Sequence, residues 1–139
     1  MTVDIPNGNT HDDVLQRRSI ISSFFHTWKE TNPSASIFNK HLREDILIRF
    51  VSITETCTHA SRLYESTNAV LNMDMILMNA KKVGIVKPKN NGNQKSFEKM
   101  LVMSYYNKDL GKIKITIGIR RRTHEKILYC ITAEKEQVR

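Results

Sequence analysis

No apolar run in this 139-residue chain approaches the ~18 residues that a membrane-crossing helix needs, so a membrane partner is not expected. The opening residues, MTVDIPNGNTHDD, lack both the basic and the apolar segment of a secretory signal. A cytoplasmic location is expected. Cysteine is scarce: Cys57 and Cys130 stand far apart, with no CxxC and no clustered Cys/His spacing. They read as reduced, half-buried thiols, with a disulfide or thiol catalysis as the alternative. There is no P-loop, no dinucleotide-binding glycine fingerprint and no strand-to-helix serine nucleophile motif. Neither a cofactor nor a metal is therefore expected. Internal repeats and low-complexity tracts are also absent, and the length suits one domain over residues 11–139 behind a flexible arm at 1–10.

Acidic residues are scarce in one part of the chain only. Residues 1–80 hold 7 Lys/Arg and 9 Asp/Glu, whereas residues 81–139 hold 15 and 5. The C-terminal part thus carries all of the net charge of +8. Such asymmetry points to a polyanionic partner, nucleic acid first, against the alternative of a basic surface that only aids solubility.

Periodicity divides the chain into helices first and strands last. Thr10 and Asp13 match a capping box, and Val14, Ile21, Phe25 and Trp28 recur on one face, so a helix is predicted from residue 11 to about residue 30. Residues 33–45 read as a loop or short helical turn, and 45–51 as a strand. Ser52 and Glu55 match a second capping box, predicting a helix to about Tyr64. Ala69, Met73, Ile76, Leu77 and Ala80 form a helical stripe from Ser66 or Thr67 onward, and Gly84 is suited to follow its end. KPKNNGNQK, residues 87–95, reads as a mobile basic loop. Strands are predicted at 97–106, 111–120 and 126–133. This order makes the fold α+β, with N-terminal helices on one face of a C-terminal antiparallel meander of at least three strands.

The stretch GKIKITIGIRRRTHEK, residues 111–126, carries the functional signal. Strict alternation sends Ile113, Ile115, Ile117 and Ile119 toward the helices. It sends Lys112, Lys114, Thr116 and Arg120 to the other face. Gly118 on that face leaves room for a ligand backbone to approach, or marks a bulge. The next strand is apolar on both faces, and the direction of Tyr129 stays open.

The segments ETCTHASRLYESTNAVLNMDMILMNA, SFEKMLVMSYY and GKIKITIGIRRRTHEKILYCITA, within residues 55–133, resemble the polyvalent-protein-associated domains of phages and conjugative elements. The resemblance implies a bacterial mobile element and the barnase–EndoU–colicin–RelE group of metal-independent ribonuclease folds. It carries over no catalytic signature.

Two kinds of site are open. For binding, Lys112, Lys114, Thr116, Arg120, Arg121, Arg122 and Lys126, with Lys87, Lys89 and Lys95 of the loop, form a candidate strip for RNA rather than duplex DNA. Of the adjacent Tyr105 and Tyr106, one should be core and the other free to stack a base. For metal-free cleavage, Glu55, His59 and Arg62 share a helical face, and His124 sits in the arginine turn as a second acid or base. The opposing reading makes Glu55 a helix cap, the trio an ordinary solvated face and His124 an exposed hairpin residue. Helices should also cover the wrong side of the sheet for that trio unless His59 lies at a sheet edge. A module whose basic face meets an acidic protein partner, or an inhibitor, is the third possibility. Oligomeric state and sequence preference are left open.

Overall fold

Thr10 and Asp13 form the predicted capping box: the Asp13 amide donates to Thr10 Oγ1 at 3.1 Å, and the Thr10 amide to Asp13 Oδ2 at 3.2 Å. The helix they start, α1, spans His11–Thr31 in a computed structural model that describes residues 4–90 and 92–134. The first three residues of the predicted arm, Asn91 of the basic loop and residues 135–139 lie outside the described residues. Ile21, Phe25 and Trp28 are buried on one face of α1. The Trp28 indole N–H donates to Asp74 at 2.7 Å.

Arg17 shares that buried face. Its guanidinium donates to Ser61 O at 2.7 Å and Arg62 O at 3.2 Å, and to Pro6 O and Gly8 O at 2.8 and 2.7 Å. A buried cation is tolerated here because four carbonyls take its donors.

Residues 33–45, read as a loop or helical turn, instead hold β1 (Ser36–Asn39), which forms a hairpin with β2 (Glu44–Leu47); the strand expected at 45–51 is present only as far as Leu47, and Phe50 and Val51 begin a helix. Asn39 makes the hairpin. Its side-chain oxygen accepts from the His41 and Leu42 amides, and its amide donates to Leu77 O and Ala80 O. The bonds to His41 and Leu42 close the turn where no alternation announced it, and those to Leu77 and Ala80 tie it to a distant part of the chain.

Helix α2 spans Phe50–Ala60, so it begins two residues before the predicted capping box and ends four before Tyr64. Ser52 is its third residue and accepts from the Arg49 amide at 3.0 Å. Glu55 is therefore not a cap. The single helix expected from residue 66 onward is two: α3 (Tyr64–Val70) and α4 (Met73–Asn79). The break falls at Leu71 and Asn72, where the Asn72 side chain donates to Asn68 O at 2.9 Å. The apolar stripe survives the break, with Ala69, Met73, Ile76, Leu77 and Ala80 all at 0% exposure. Gly84 does not follow a helix end; it lies in a strand the sequence did not announce, β3 (Lys81–Val86), beside a register shift.

The three remaining strands are β4 (Phe97–Asn107), β5 (Gly111–Arg120) and β6 (Lys126–Ala133). All six join one sheet in the order β1-β2-β6-β5-β4-β3, antiparallel except where β2 meets β6. The fold is α+β, as expected. Ile113, Ile115 and Ile117 pack with Leu101, Met103, Leu128 and Ile131 in the helix-covered core. Burying each such side chain contributes about 1.5–3 kcal/mol.

Simple alternation fails in β6. Thr116 pairs with Cys130 and Ile117 with Leu128, so Tyr129 is the extra residue of a bulge. Leu128 and Ile131 thereby both reach the helix-side core, and Tyr129 points to the other face. There it packs beside a second, smaller core of Phe97, Met100 and Ile127. Gly118 serves that core. A Cβ at Gly118 would lie 2.5 Å from the Phe97 ring, so the space it leaves is filled by Phe97 and is closed to a ligand.

Candidate nucleic-acid interface

The pairing of β2 with β6 is short, covering only Ile46↔Lys126 and Leu47↔Ile127. Beyond it, helices close the β6 edge. Ser52 Oγ donates to Leu128 O, Cys130 Sγ to Glu55 O, and the Ala133 amide to Ser66 Oγ. Helix α2 therefore lies along a sheet edge, the placement that lets its Glu55–His59 face reach the open side of the sheet.

It does reach it. His59 lines a cleft of about 360 Å³ with Lys114, Thr116, Tyr129, Lys87 and Lys89. Glu55 organises the wall. It lies 3.8 Å from His59 Nε2, accepts from the Tyr129 hydroxyl at 2.5 Å, and accepts from the Asn93 side chain at 3.1 Å. Burial, then the hydrogen bond to Glu55, push the Tyr129 phenol up to about 12. Burial, reinforced by the Glu55 charge, pushes the Cys130 thiol up to about 12 as well. Cys57 is also raised by burial. Both cysteines are free, and neither is activated as a thiolate nucleophile. Arg62 is exposed beyond the end of α2; it does not line this cleft, although its charge is felt at Cys130.

Two further clefts continue from the first. Lys87 and Lys89 are shared with one of about 390 Å³ that also holds Lys95, Phe97, Glu98 and Arg121. Lys95 and Phe97 are shared in turn with one of about 490 Å³ that holds Arg49, Phe50, Asn93 and Arg120. The basic loop, with a short 3₁₀ turn at Gly92–Gln94, is the common wall. Cations from β5, from this loop and from the arginine turn thus lie along one connected track.

Other predicted residues lie off it. Lys112 pairs with Glu134 at 3.2 Å, and Lys126 with Glu44 at 2.8 Å. Arg122 is exposed, and both it and His124 adopt positive φ, 69° and 60°, in the turn between β5 and β6. His124 Nδ1 lies 2.6 Å from Glu98, beside a depression that includes Glu44 and Asp45. None of these clefts brings His59 and the arginine turn together. Tyr105 packs against the helix-side core, while Tyr106 is 70% exposed opposite Lys112.

Arg49, Phe50, Asn93, Gln94 and Tyr129 were not among the residues the sequence pointed to. The Tyr129 bulge has no signature in the β6 alternation, and Phe50 reads as a strand residue until the helix start is known. Among the described residues no His/Cys/Asp/Glu group is arranged to hold a metal, and no helix is long and apolar enough to cross a membrane.

No curated protein and no solved structure matches the chain. A family model does match, over residues 20–129, and it takes in most of α1, which the resemblance read from residues 55–133 had left out. The matched span runs from the helix that backs the sheet to the Tyr129 of the cleft, so the chain belongs to the family described as large polyvalent protein-associated domain 3.

Proposed function

We propose that this domain binds nucleic acid, RNA in preference to duplex DNA, along the track of three clefts on the open side of its sheet. The observation that carries the reading is the convergence of Lys114, Lys87, Lys89, Lys95, Arg120 and Arg121, from separate segments, on clefts that share their walls. Two carboxylates stand near these cations, and both are engaged: Glu98 lines one cleft and faces His124, and Glu55, behind the first cleft, accepts from Tyr129 and Asn93. Such a track suits a flexible phosphate backbone. Duplex DNA is read by an element that enters a groove; α2, at the rim of this track, is packed along β6. The family supports a role in a mobile element. A helix-rich N-terminal half followed by an antiparallel meander is compatible with the metal-independent ribonuclease group, and free, protonated thiols suit the cytoplasm.

A second reading, RNA cleavage without metal, is favoured by the Glu55–His59–Tyr129 cluster beside Lys114. His59 would take the 2′-OH proton while that oxygen attacks phosphorus. Lys114 would offset the charge gathering on the phosphoryl oxygens. The phenol of Tyr129, which keeps its proton at neutral pH, would protonate the departing 5′ oxygen, leaving a 2′,3′-cyclic phosphate.

Labelled mixed-sequence RNA, incubated in chelator across a salt series, tests both. Binding should weaken linearly on a log–log plot, with a slope of about −0.7 per contacted phosphate. Fragments with cyclic ends that vanish in His59→Ala would establish cleavage. A folded protein that neither retains nor cuts RNA would overturn both readings and direct attention to an acidic protein partner.

A further inference from the structure

The cleft of about 490 Å³ holds a side chain that neither charge nor alternation singled out. Phe50, the first residue of α2, is 79% exposed. Leaving so large an apolar ring in water forgoes the free energy that its burial would release. Around it stand Arg49, Lys95 and Arg120, and no carboxylate lines the cleft. Lys95 and Arg120 make no ion pair among the described residues. The backbone that carries the ring is also held in place. Ser52 accepts from the Arg49 amide and donates to Leu128 O, which fixes the first turn of α2 against β6. The other aromatic of the cleft, Phe97, is seated on Gly118.

We propose that this cleft binds one unpaired nucleotide of a single strand, the base stacked on Phe50 and its phosphate held by Arg49, Lys95 and Arg120. The inference rests on the nucleic-acid reading and adds a base-binding position to a track that otherwise meets only phosphates. An exposed π-face offers stacking to any base, so the position selects for strandedness rather than sequence. A base still paired in a duplex cannot present its face to the ring.

The test is fluorescence anisotropy with a labelled single-stranded oligoribonucleotide, an abasic strand of the same length, and the oligoribonucleotide annealed to its complement. Wild type is compared with Phe50→Ala, Phe50→Tyr and a Lys87→Gln/Lys89→Gln/Lys114→Gln variant, each checked for folding by circular dichroism. Phe50→Ala should weaken the normal strand by about 5- to 150-fold, the range of base–aromatic stacking losses, and leave the abasic strand unchanged. Phe50→Tyr should retain the affinity. If Phe50→Ala matches wild type on the normal strand while the lysine variant weakens both strands, the stacking position is wrong and the nucleic-acid reading stands. Wild type that binds none of the three strands at low salt overturns that reading and the stacking position together. Adenosine monophosphate competing as well as the oligonucleotide would overturn the strand in favour of a free nucleotide.

Discussion

Along β5, Ile113, Ile115 and Ile117 are fully buried under the helices, while their neighbours Lys112 and Lys114 stand in solvent. The two faces of the same strand differ in how they are made. The helix-side face is continuous: isoleucines mesh with Leu101, Met103, Leu128 and Ile131 and with the stripe of α3 and α4. The open face is assembled from pieces far apart in sequence. A small core of Phe97, Met100 and Ile127 holds its middle, α2 supplies one rim and the 87–95 loop another. One face is built to exclude water and the other to keep charge in it, so changes on the two faces should separate stability from binding.

The largest effect is expected under the helices. Ile115→Ala empties a fully buried site and should cost about 2–5 kcal/mol in a denaturant melt. RNA affinity measured well below the midpoint should not change. A loss of affinity at full folding would show that the two faces are coupled through β5.

Gly118→Ala should come next. It is a single methyl on the open face, yet its Cβ would meet the Phe97 ring at 2.5 Å. Overpacking of this kind costs about 1–3 kcal/mol. Phe97→Leu in the same molecule should recover part of the loss, because the two residues share one space. If the double variant is simply additive, Phe97 does not rest on Gly118 as described.

These two residues also mark what could be read from the sequence. Ile115 was legible because strict alternation against lysines and a threonine leaves one assignment of faces. The α1 capping box was legible because its two partners stand three residues apart, and the stripe of α3 and α4 because it repeats over several turns. Gly118 was misread because the residue that fills its space, Phe97, is twenty-one positions earlier. Long-range pairings explain the other misses too. Asn39 anchors the β1–β2 hairpin by bonding to the Leu77 and Ala80 carbonyls at the end of α4, and β3 is a strand because β4 lies beside it. Of the candidate site, the basic residues were legible as charge. Their sorting into track residues and the paired Lys112 and Lys126 required Glu134 and Glu44, which no local pattern connects to them.

That sorting gives a subtler contrast within the open side itself. Lys87→Gln, Lys89→Gln and Arg121→Gln should each leave stability within about 0.5 kcal/mol. Each should also reduce the salt slope of RNA binding by about 0.7. Lys112→Gln and Lys126→Gln, whose charges are met by carboxylates, should leave the slope nearly where it was. Equal effects from all five would mean that the surface acts by net charge alone.

The smallest effect concerns the polar wall of the first cleft. Tyr129 has its phenol raised from 10.0 to about 12, first by burial and then by the bond to Glu55. The folded protein holds this proton more tightly than the unfolded chain. The associated stability is therefore fully present below pH 10 and fades as the pH rises through about 12. The tyrosinate absorbance difference between wild type and Tyr129→Phe isolates this one phenol from the others. In Glu55→Gln its midpoint should fall, because the carboxylate charge and the strong acceptor are both lost, but not all the way to 10.0, because burial remains. A midpoint unmoved by Glu55→Gln would break the link between α2 and β6 on this face. It would also leave His59 and Tyr129 sharing a cleft without the carboxylate that both of them meet.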